Sequence, residues 1–178
     1  MYLPTKYKCD IGEAMHSKNE WGKLNKVIVG HAHNATVPEI DISLRHINYA
    51  DVKDELTIPA GKYPQIVVDE ANEDLTTFVD FLEKEGVDVV RPDITDCNYY
   101  NYCPRDSVIV YKDKAIATPM PLRARRNEYQ AYERHLENIH PYDIMRSDEL
   151  YNPNCLGDRE VLALTEHEPA FDAANVIR

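Results

Sequence analysis

Val67-Val68-Asp69-Glu70-Ala71-Asn72-Glu73-Asp74-Leu75-Thr76-Thr77-Phe78-Val79-Asp80-Phe81-Leu82-Glu83-Lys84-Glu85-Gly86-Val87-Asp88-Val89-Val90 is the stretch that sets the fold class. Ala71, Leu75, Phe78, Val79 and Leu82 recur at three- and four-residue spacing, which predicts an amphipathic helix from Val67 to Glu85. Gly86 stands where such a helix closes, because glycine adopts the left-handed conformation without a Cβ penalty. The next four residues, Val87 to Val90, read as a strand that Arg91-Pro92 ends.

Working outward, Asn19-Glu20-Trp21-Gly22-Lys23-Leu24 leads into Val27-Ile28-Val29-Gly30, a β-branched run closed by glycine and read as a strand. Residues 31–65 carry Pro38, Pro59, Gly61 and Pro64 and no sustained period, so a long excursion with one short helix near 43–55 is expected. Residues 20–92 thus form a strand–long loop–helix–strand unit. The first 18 residues are polar and irregular and read as an arm, leaving residues 19–178 as the domain.

Downstream, a polar aromatic loop at 93–103 precedes a strand, Ser107 to Tyr111. A turn at Lys112-Asp113-Lys114 and a returning strand, Ala115 to Thr118, complete a hairpin that Pro119-Met120-Pro121 breaks. Arg125 to Ile139 reads as a helix with Tyr129, Tyr132, Leu136 and Ile139 on one face and charge on the other. A polar loop at 146–159 leads to a strand at Glu160 to Leu164 and then to the unit holding Asp172. Strands alternating with helices in similar blocks indicate an α/β fold built from a repeated strand–helix module.

Composition narrows the functional classes. With 20 basic and 31 acidic residues the net charge is −11, a field that repels phosphate backbones and anionic lipid and so disfavours nucleic-acid and membrane roles. A cationic small substrate suits it. No apolar run approaches the roughly 20 residues that span a bilayer, and the N-terminus lacks a signal-peptide core, so a cytoplasmic location is expected. The four cysteines, Cys9, Cys97, Cys103 and Cys155, include no Cys-x-x-Cys pair and are read as reduced thiols.

Two carboxylates draw attention. Asp106, in Cys103-Pro104-Arg105-Asp106, stands at the edge of a strand beside an irregular loop, where a rigid support can face a cleft. It could equally pair with Arg105 or cap a turn. Asp172, between Phe171 and Ala173-Ala174, sits in an apolar setting that requires a partner or a ligand; it could equally cap the start of a helix or turn. Two acids so placed suit a planar cation such as a guanidinium, which carboxylates grip in bidentate fashion. His31-Ala32-His33 puts two imidazoles on one face of an extended segment, but no third ligand is evident and no metal is expected. His167 beside Glu168 is read as a surface residue.

Taken in order and spacing, several words resemble the N-terminal half of the arginine:glycine amidinotransferase family, which includes inosamine-phosphate amidinotransferases and those of cyanobacterial toxin pathways. The words are Asn19-Glu20-Trp21-Gly22, Val27-Ile28-Val29-Gly30, Cys103-Pro104-Arg105-Asp106 and Ala117-Thr118-Pro119-Met120. Further ones are the run from Arg123 to Tyr132, Asp148-Glu149-Leu150-Tyr151, and Glu168 to Asn175. The resemblance covers about residues 19 to 178. It implies a pentein-type α/β propeller of pseudo-fivefold repeats, of which this chain holds about two blades and the start of a third, and no cofactor. In such an enzyme a cysteine thiolate attacks the guanidino carbon of L-arginine, ornithine leaves, and an amine acceptor such as glycine takes the amidino group from the cysteine. By this resemblance Asp106 is the guanidinium-binding acid, and Asp172 is the acid that partners the catalytic histidine and the substrate. Tyr100 and Arg105 fall where substrate contacts are expected.

The chain departs from the family in lacking its nucleophilic cysteine and histidine, which lie in the family's C-terminal half. Cys103 is close to Asp106 but is not where the family places its nucleophile, and Asn175 stands where an acid is usual. Three accounts follow. The chain is part of a larger or split amidinotransferase, interrupted at Arg178; or a catalytically inactive protein that binds guanidino compounds or a partner; or a fragment related to arginine deiminases. The first expects a companion chain carrying the missing half, and no amidino transfer by these 178 residues alone. Open propeller edges would also favour an oligomer.

Overall fold

Alternation along two short strands decides how the first half of the chain packs. In the computed structural model, residues 16–96, 99–136, 142–144 and 169–177 are described. Strand β1, Lys26–Ile28, pairs in parallel with β4, Asp88–Val90, in the register Lys26↔Asp88, Val27↔Val89 and Ile28↔Val90. Successive side chains point to opposite faces. Val27 and Val89 join Val29, Leu82 and Val87 in one apolar cluster, while Ile28 and Val90 turn the other way and pack with Ala115, Tyr132 and Leu136. A strand pair buried on both faces reads as a continuous β-branched run, which is why Val27 to Val29 and Val87 to Val90 show no polar alternation apart from Asp88. Asp88 lies at the exposed end and pairs with Lys26 at 2.9 Å. An ion pair this exposed adds only about 0.2–1 kcal/mol.

The first of these clusters is completed by helix α2, Gln65–Lys84, through Leu75, Val79 and Leu82. Fully burying a Leu or Val is worth about 1.5–3 kcal/mol; Leu82 is buried and Leu75 and Val79 partly so, and this stripe, not helix propensity, fixes α2 against β1 and β4. Phe78, expected on that stripe, is instead 49% exposed. It lies one position off the row that Leu75, Val79 and Leu82 present to the sheet. Gly86 has φ +79°, the left-handed stop read from sequence, and it turns the chain from α2 into β4.

The long excursion holds more structure than its composition implied. Strand β2, Thr36–Val37, pairs antiparallel with β3, Gly61–Lys62. Between them lie α1, Ile42–Ile47, which is the short helix expected near 43–55, and a 3₁₀ turn, Glu55–Thr57. Asp41 caps α1 by accepting from the Leu44 N–H at 2.8 Å. Gly30 begins this excursion, and a Cβ there would lie 2.2 Å from the Asn101 carbonyl oxygen. Glycine is therefore required for the close approach by which His31 N–H donates to Asn101 O at 3.1 Å.

In the second half, a short helical turn α3, Pro104–Ser107, runs directly into β5, Val108–Tyr111, which forms a hairpin with β6, Lys114–Ala117. Asp106 therefore stands in a helical turn one residue earlier than the strand expected from Ser107. Strand β7, Tyr142–Ile144, which the sequence reading did not identify, adds in parallel to β6. Of the helix expected over 125–139, the described part, to Leu136, holds two 3₁₀ turns, Arg123–Arg125 and Glu128–Tyr132, followed by α4, Glu133–Leu136. Tyr129, Tyr132 and Leu136 are buried as read, but the face expected to be charged and solvated also turns inward, because Arg125 and Glu128 are buried.

The order of elements is of α/β type. Its strands form two pairs and one three-stranded mixed sheet, with no closed sheet among the described residues. No described helix is long and apolar enough to cross a membrane. Residues 1–15 and 145–168, and with them the strand expected at Glu160 to Leu164, lie outside the described residues, as do Ile139, His167, Cys9, Cys97 and Cys155.

Candidate active site

The site is assembled on the junction between α3 and β5. Proline at the first position of α3 presets its φ and needs no N–H partner. The turn closes through Asp106 N–H to Cys103 O at 3.1 Å. Thr118, just past β6, holds it from the other side: its N–H donates to Ser107 O at 3.0 Å, and its hydroxyl reaches Ser107 O at 3.2 Å and Asp106 O at 3.3 Å. The backbone beneath the Asp106 carboxylate is thereby fixed to the hairpin.

Facing it is Arg125. Its Nε and Nη2 donate to the two carboxylate oxygens of Glu128, each at 2.8 Å, and its Nη1 donates to Asp106 Oδ2 at 2.9 Å. In a 3₁₀-like path residues three apart eclipse, which lines up Arg125 with Glu128. Ser107 Oγ donates to Glu128 Oε2 at 2.8 Å, closing the network onto α3. The Asp172 carboxylate comes from far along the chain and places Oδ2 3.9 Å from Arg125 Nη1. Accessibility rises across the cluster: the side chains of Glu128 and Arg125 are 1% and 6% exposed, those of Asp106 and Asp172 21% and 26%.

Burial disfavours charge on Arg125, but the hydrogen bonds and charge of Glu128 and the bond to Asp106 outweigh it and raise the guanidinium's pKa, so it stays a cation. Burial pushes Glu128 upward, opposed by the Arg125 fork and by Ser107. Asp172 is also raised, first by burial and further by the charge of Asp106, against the Ala174 N–H and the two arginines nearby. One resident cation is thus surrounded by three carboxylates, Asp106, Glu128 and Asp172. When all are ionised, the cluster lacks the positive charge to balance its two more accessible acids.

Tyr100 lies under this cluster, with the Arg125 Cζ 5.0 Å from its ring centroid. The rings of Tyr99 and Tyr102 each stand 4.0 Å from it, Tyr102 in a stacked arrangement, so most of its π surface is engaged within the protein. Cys103 is half-buried beside the acids. Burial, then Asp106, push its thiol up to about 11. An attacking sulfur must be a thiolate, so this environment is opposite to one that activates a nucleophile.

The Asp172 segment is held in two ways. Asp172 caps the 3₁₀ turn Ala173–Asn175, its Oδ1 accepting from the Ala174 N–H at 2.8 Å. Phe171 N–H donates to Pro119 O at 3.3 Å. Arg105, expected to face substrate, directs its guanidinium elsewhere: Nη1 donates to Ala173 O, Nη2 to Val176 O at 2.8 Å, and Nη2 to Glu20 Oε1 at 3.3 Å. Capping and facing Arg125 are thus not exclusive for Asp172, since they use different oxygens.

A cleft of about 350 Å³ opens nearby, lined by Thr36, Pro38, Glu39, Asp41, Arg123 and Ala124. His31 is buried, with its ring 5.0 Å from that of His33. Burial and the neighbouring His33 lower its pKa and keep it neutral. Among the described residues no three His, Cys, Asp or Glu side chains are grouped to hold a metal ion.

The structure therefore brings Asp106, Asp172, Tyr100 and Arg105 into one region. The sequence reading missed Arg125, Glu128 and Ser107, which organise it. An opposite-charge pair three residues apart within an otherwise apolar-faced segment was the available signal.

No family model matches the chain. Among characterised proteins it is 36% identical to an inosamine-phosphate amidinotransferase of Streptomyces glaucescens, over 90% of this chain and 51% of that protein. It is 34% identical to the mitochondrial glycine amidinotransferase of Gallus gallus, over 91% and 46%. Among solved structures, an inosamine-phosphate amidinotransferase from Streptomyces griseus superposes with a TM-score of 0.79 at 33% identity, covering 92% of this chain and 52% of that one. An amidinotransferase from Microseira wollei in a saxitoxin biosynthetic pathway gives 0.69 at 26% identity, covering 92% and 54%. The chain spans about half the length of the curated relatives it matches. The likeness to these proteins extends over about nine tenths of this chain, and the chain belongs to the amidinotransferase family.

Proposed function

We propose that this chain supplies the guanidinium-holding acids of an enzyme that transfers the amidino group of L-arginine to an amine acceptor such as glycine through an amidino-cysteine. The observation that carries this reading is the convergence of Asp106 and Asp172 on one guanidinium, that of Arg125, at 2.9 and 3.9 Å, with negative charge in excess. Asp106 engages Arg125 through Oδ2 alone among the described residues, and Asp172 caps its turn through Oδ1. Each acid is partly accessible and has lone pairs left to accept further donors. A substrate guanidinium carries five donors in a plane and is oriented by two such acceptors, which presents its carbon to a nucleophile held in line.

Cys103, with its thiol pushed up to about 11, is not that nucleophile. The attacking cysteine and the acid–base histidine come, in this reading, from outside these 178 residues. The pentein-type propeller, with two blades and the start of a third in this chain, belongs to the same proposal. Titration of arginine into the purified chain by calorimetry tests it. Binding that Asp106→Asn and Asp172→Asn each abolish is expected, and binding unchanged in both variants refutes it. Guanidinoacetate formed from arginine and glycine by this chain alone would refute the external nucleophile.

A further inference from the structure

We propose that Arg105 is a positioning residue: a two-pronged clasp that sets the Asp172 turn at a fixed distance from Asp106. The idea rests on the guanidinium-holding reading above for its consequence, but not for its geometry. Arg105 precedes Asp106 in the same turn, α3, and its guanidinium bridges two carbonyls three residues apart, Ala173 O and Val176 O. Those carbonyls close the 3₁₀ turn that Asp172 opens, since Val176 N–H donates to Ala173 O at 3.1 Å. A cation at the carbonyl end of a helical turn is favoured by charge as well as by hydrogen bonding.

One α3 turn thus carries both the acid at the site and the side chain that fastens the second acid's segment. Ala173, fully buried, packs the turn against α3. Phe171 N–H to Pro119 O tethers the segment upstream of Asp172, and Arg105 tethers it downstream. Glu20 supplies the opposing charge at 3.3 Å, so a residue from the chain's first described segment steadies the clasp. A planar fork suits this bridge and an ammonium does not, because lysine offers a point charge where two separated acceptors must be met at once.

The test compares Arg105→Met and Arg105→Lys in the full 178-residue chain. Arg105 is 42% exposed, so both variants leave the apolar clusters untouched. Losing a charge-assisted bond predicts about tenfold faster amide exchange at Ala174, Asn175 and Val176 in both variants, with α2 unchanged, and arginine affinity about tenfold weaker. The acid limb of binding separates the two. The carboxylate of Asp172 faces Asp106, Arg125 and Arg105, and the charge of Arg105 favours its ionised form. The pH at which binding falls off should therefore move upward in Arg105→Met and stay in place in Arg105→Lys. Wild-type exchange at the three amides in Arg105→Met overturns the clasp, as does full recovery of exchange and affinity in Arg105→Lys. Unchanged arginine affinity in Arg105→Met, with wild-type binding intact, overturns its role in positioning. If the wild-type chain binds no arginine, the guanidinium-holding reading fails, and the exchange comparison still decides the clasp.

Discussion

Arg125 donates to Asp106 across 2.9 Å while the remainder of its fork is locked onto Glu128, so the accessible acid is oriented by a cation that cannot itself move away. The partner that anchors the arginine is nearly inaccessible, and the partner that faces outward is not. This division lets one buried pair act as the foundation of a site without consuming the acids placed at its surface.

Removing that foundation should be costly. Arg125→Met leaves Glu128 buried and uncompensated, and a loss of about 3–5 kcal/mol is expected in urea denaturation. The double variant Arg125→Met, Glu128→Leu should recover much of this, because an apolar pair of similar volume avoids the desolvation of a lone charge. Losses that simply add in the double variant would show that the two residues are not coupled as the geometry indicates.

Acidification should release a bound guanidinium earlier than an ordinary aspartate would. Asp172 is raised by burial, so its protonation begins above the usual aspartate range, and the neutral form no longer attracts a cation. Binding should therefore strengthen as pH rises through the Asp172 midpoint and be lost below it, with proton release on binding near that pH. For folding alone the sign is opposite: a carboxyl raised in the folded state favours folding below its unfolded pKa, and that contribution disappears as pH rises through the folded value. Calorimetry in buffers of different ionisation enthalpy checks the first, and urea midpoints of wild type against Asp172→Asn check the second.

Cys103 should be a poor target for alkylation. With its thiol pushed up to about 11, the thiolate is scarce at neutral pH, roughly one part in ten thousand. Iodoacetamide followed by peptide mapping should label Cys103 far more slowly than a free thiol, with a rate that climbs toward pH 11. Rapid labelling at neutral pH would contradict the environment described.

Two glycines should fail for different reasons. Gly30→Ala drives a Cβ to 2.2 Å from the Asn101 carbonyl and 2.4 Å from the Tyr102 Cα, both backbone atoms, and should cost about 1–3 kcal/mol or more while loosening the site loop. Gly86→Ala meets no atom within 4 Å, so only its φ of +79° penalises the change, by about 1–2 kcal/mol. Thermal denaturation of both, with arginine binding measured alongside, separates them: binding should suffer in the first and survive in the second.

Local patterning made α2, its glycine stop, β4 and the β5–β6 hairpin legible, because each is decided by side chains a few residues apart that share one apolar face. Phe78 escaped that logic, since periodicity cannot say how wide a stripe the sheet will cover, and both Phe78 and Phe81 stay exposed. The small β2–β3 pair and β7 were not legible, because their strands are too short to show a period and exist only through a partner distant in sequence. The segment from Arg123 to Leu136 misled for a related reason: its charged residues belong to an internal ion pair, and the chain takes 3₁₀ turns that bring Arg125 over Glu128.

The sequence by itself determined the α/β order, the two acids worth watching and, through its words, the family. Tertiary structure alone decided that these acids converge on Arg125, that Tyr100 is enclosed between rings and a guanidinium, and that Arg105 fastens a turn. Periodicity records which face of an element meets apolar surroundings. The pairing of a charge depends on which distant segment folds against it, and that is a property of the assembled chain.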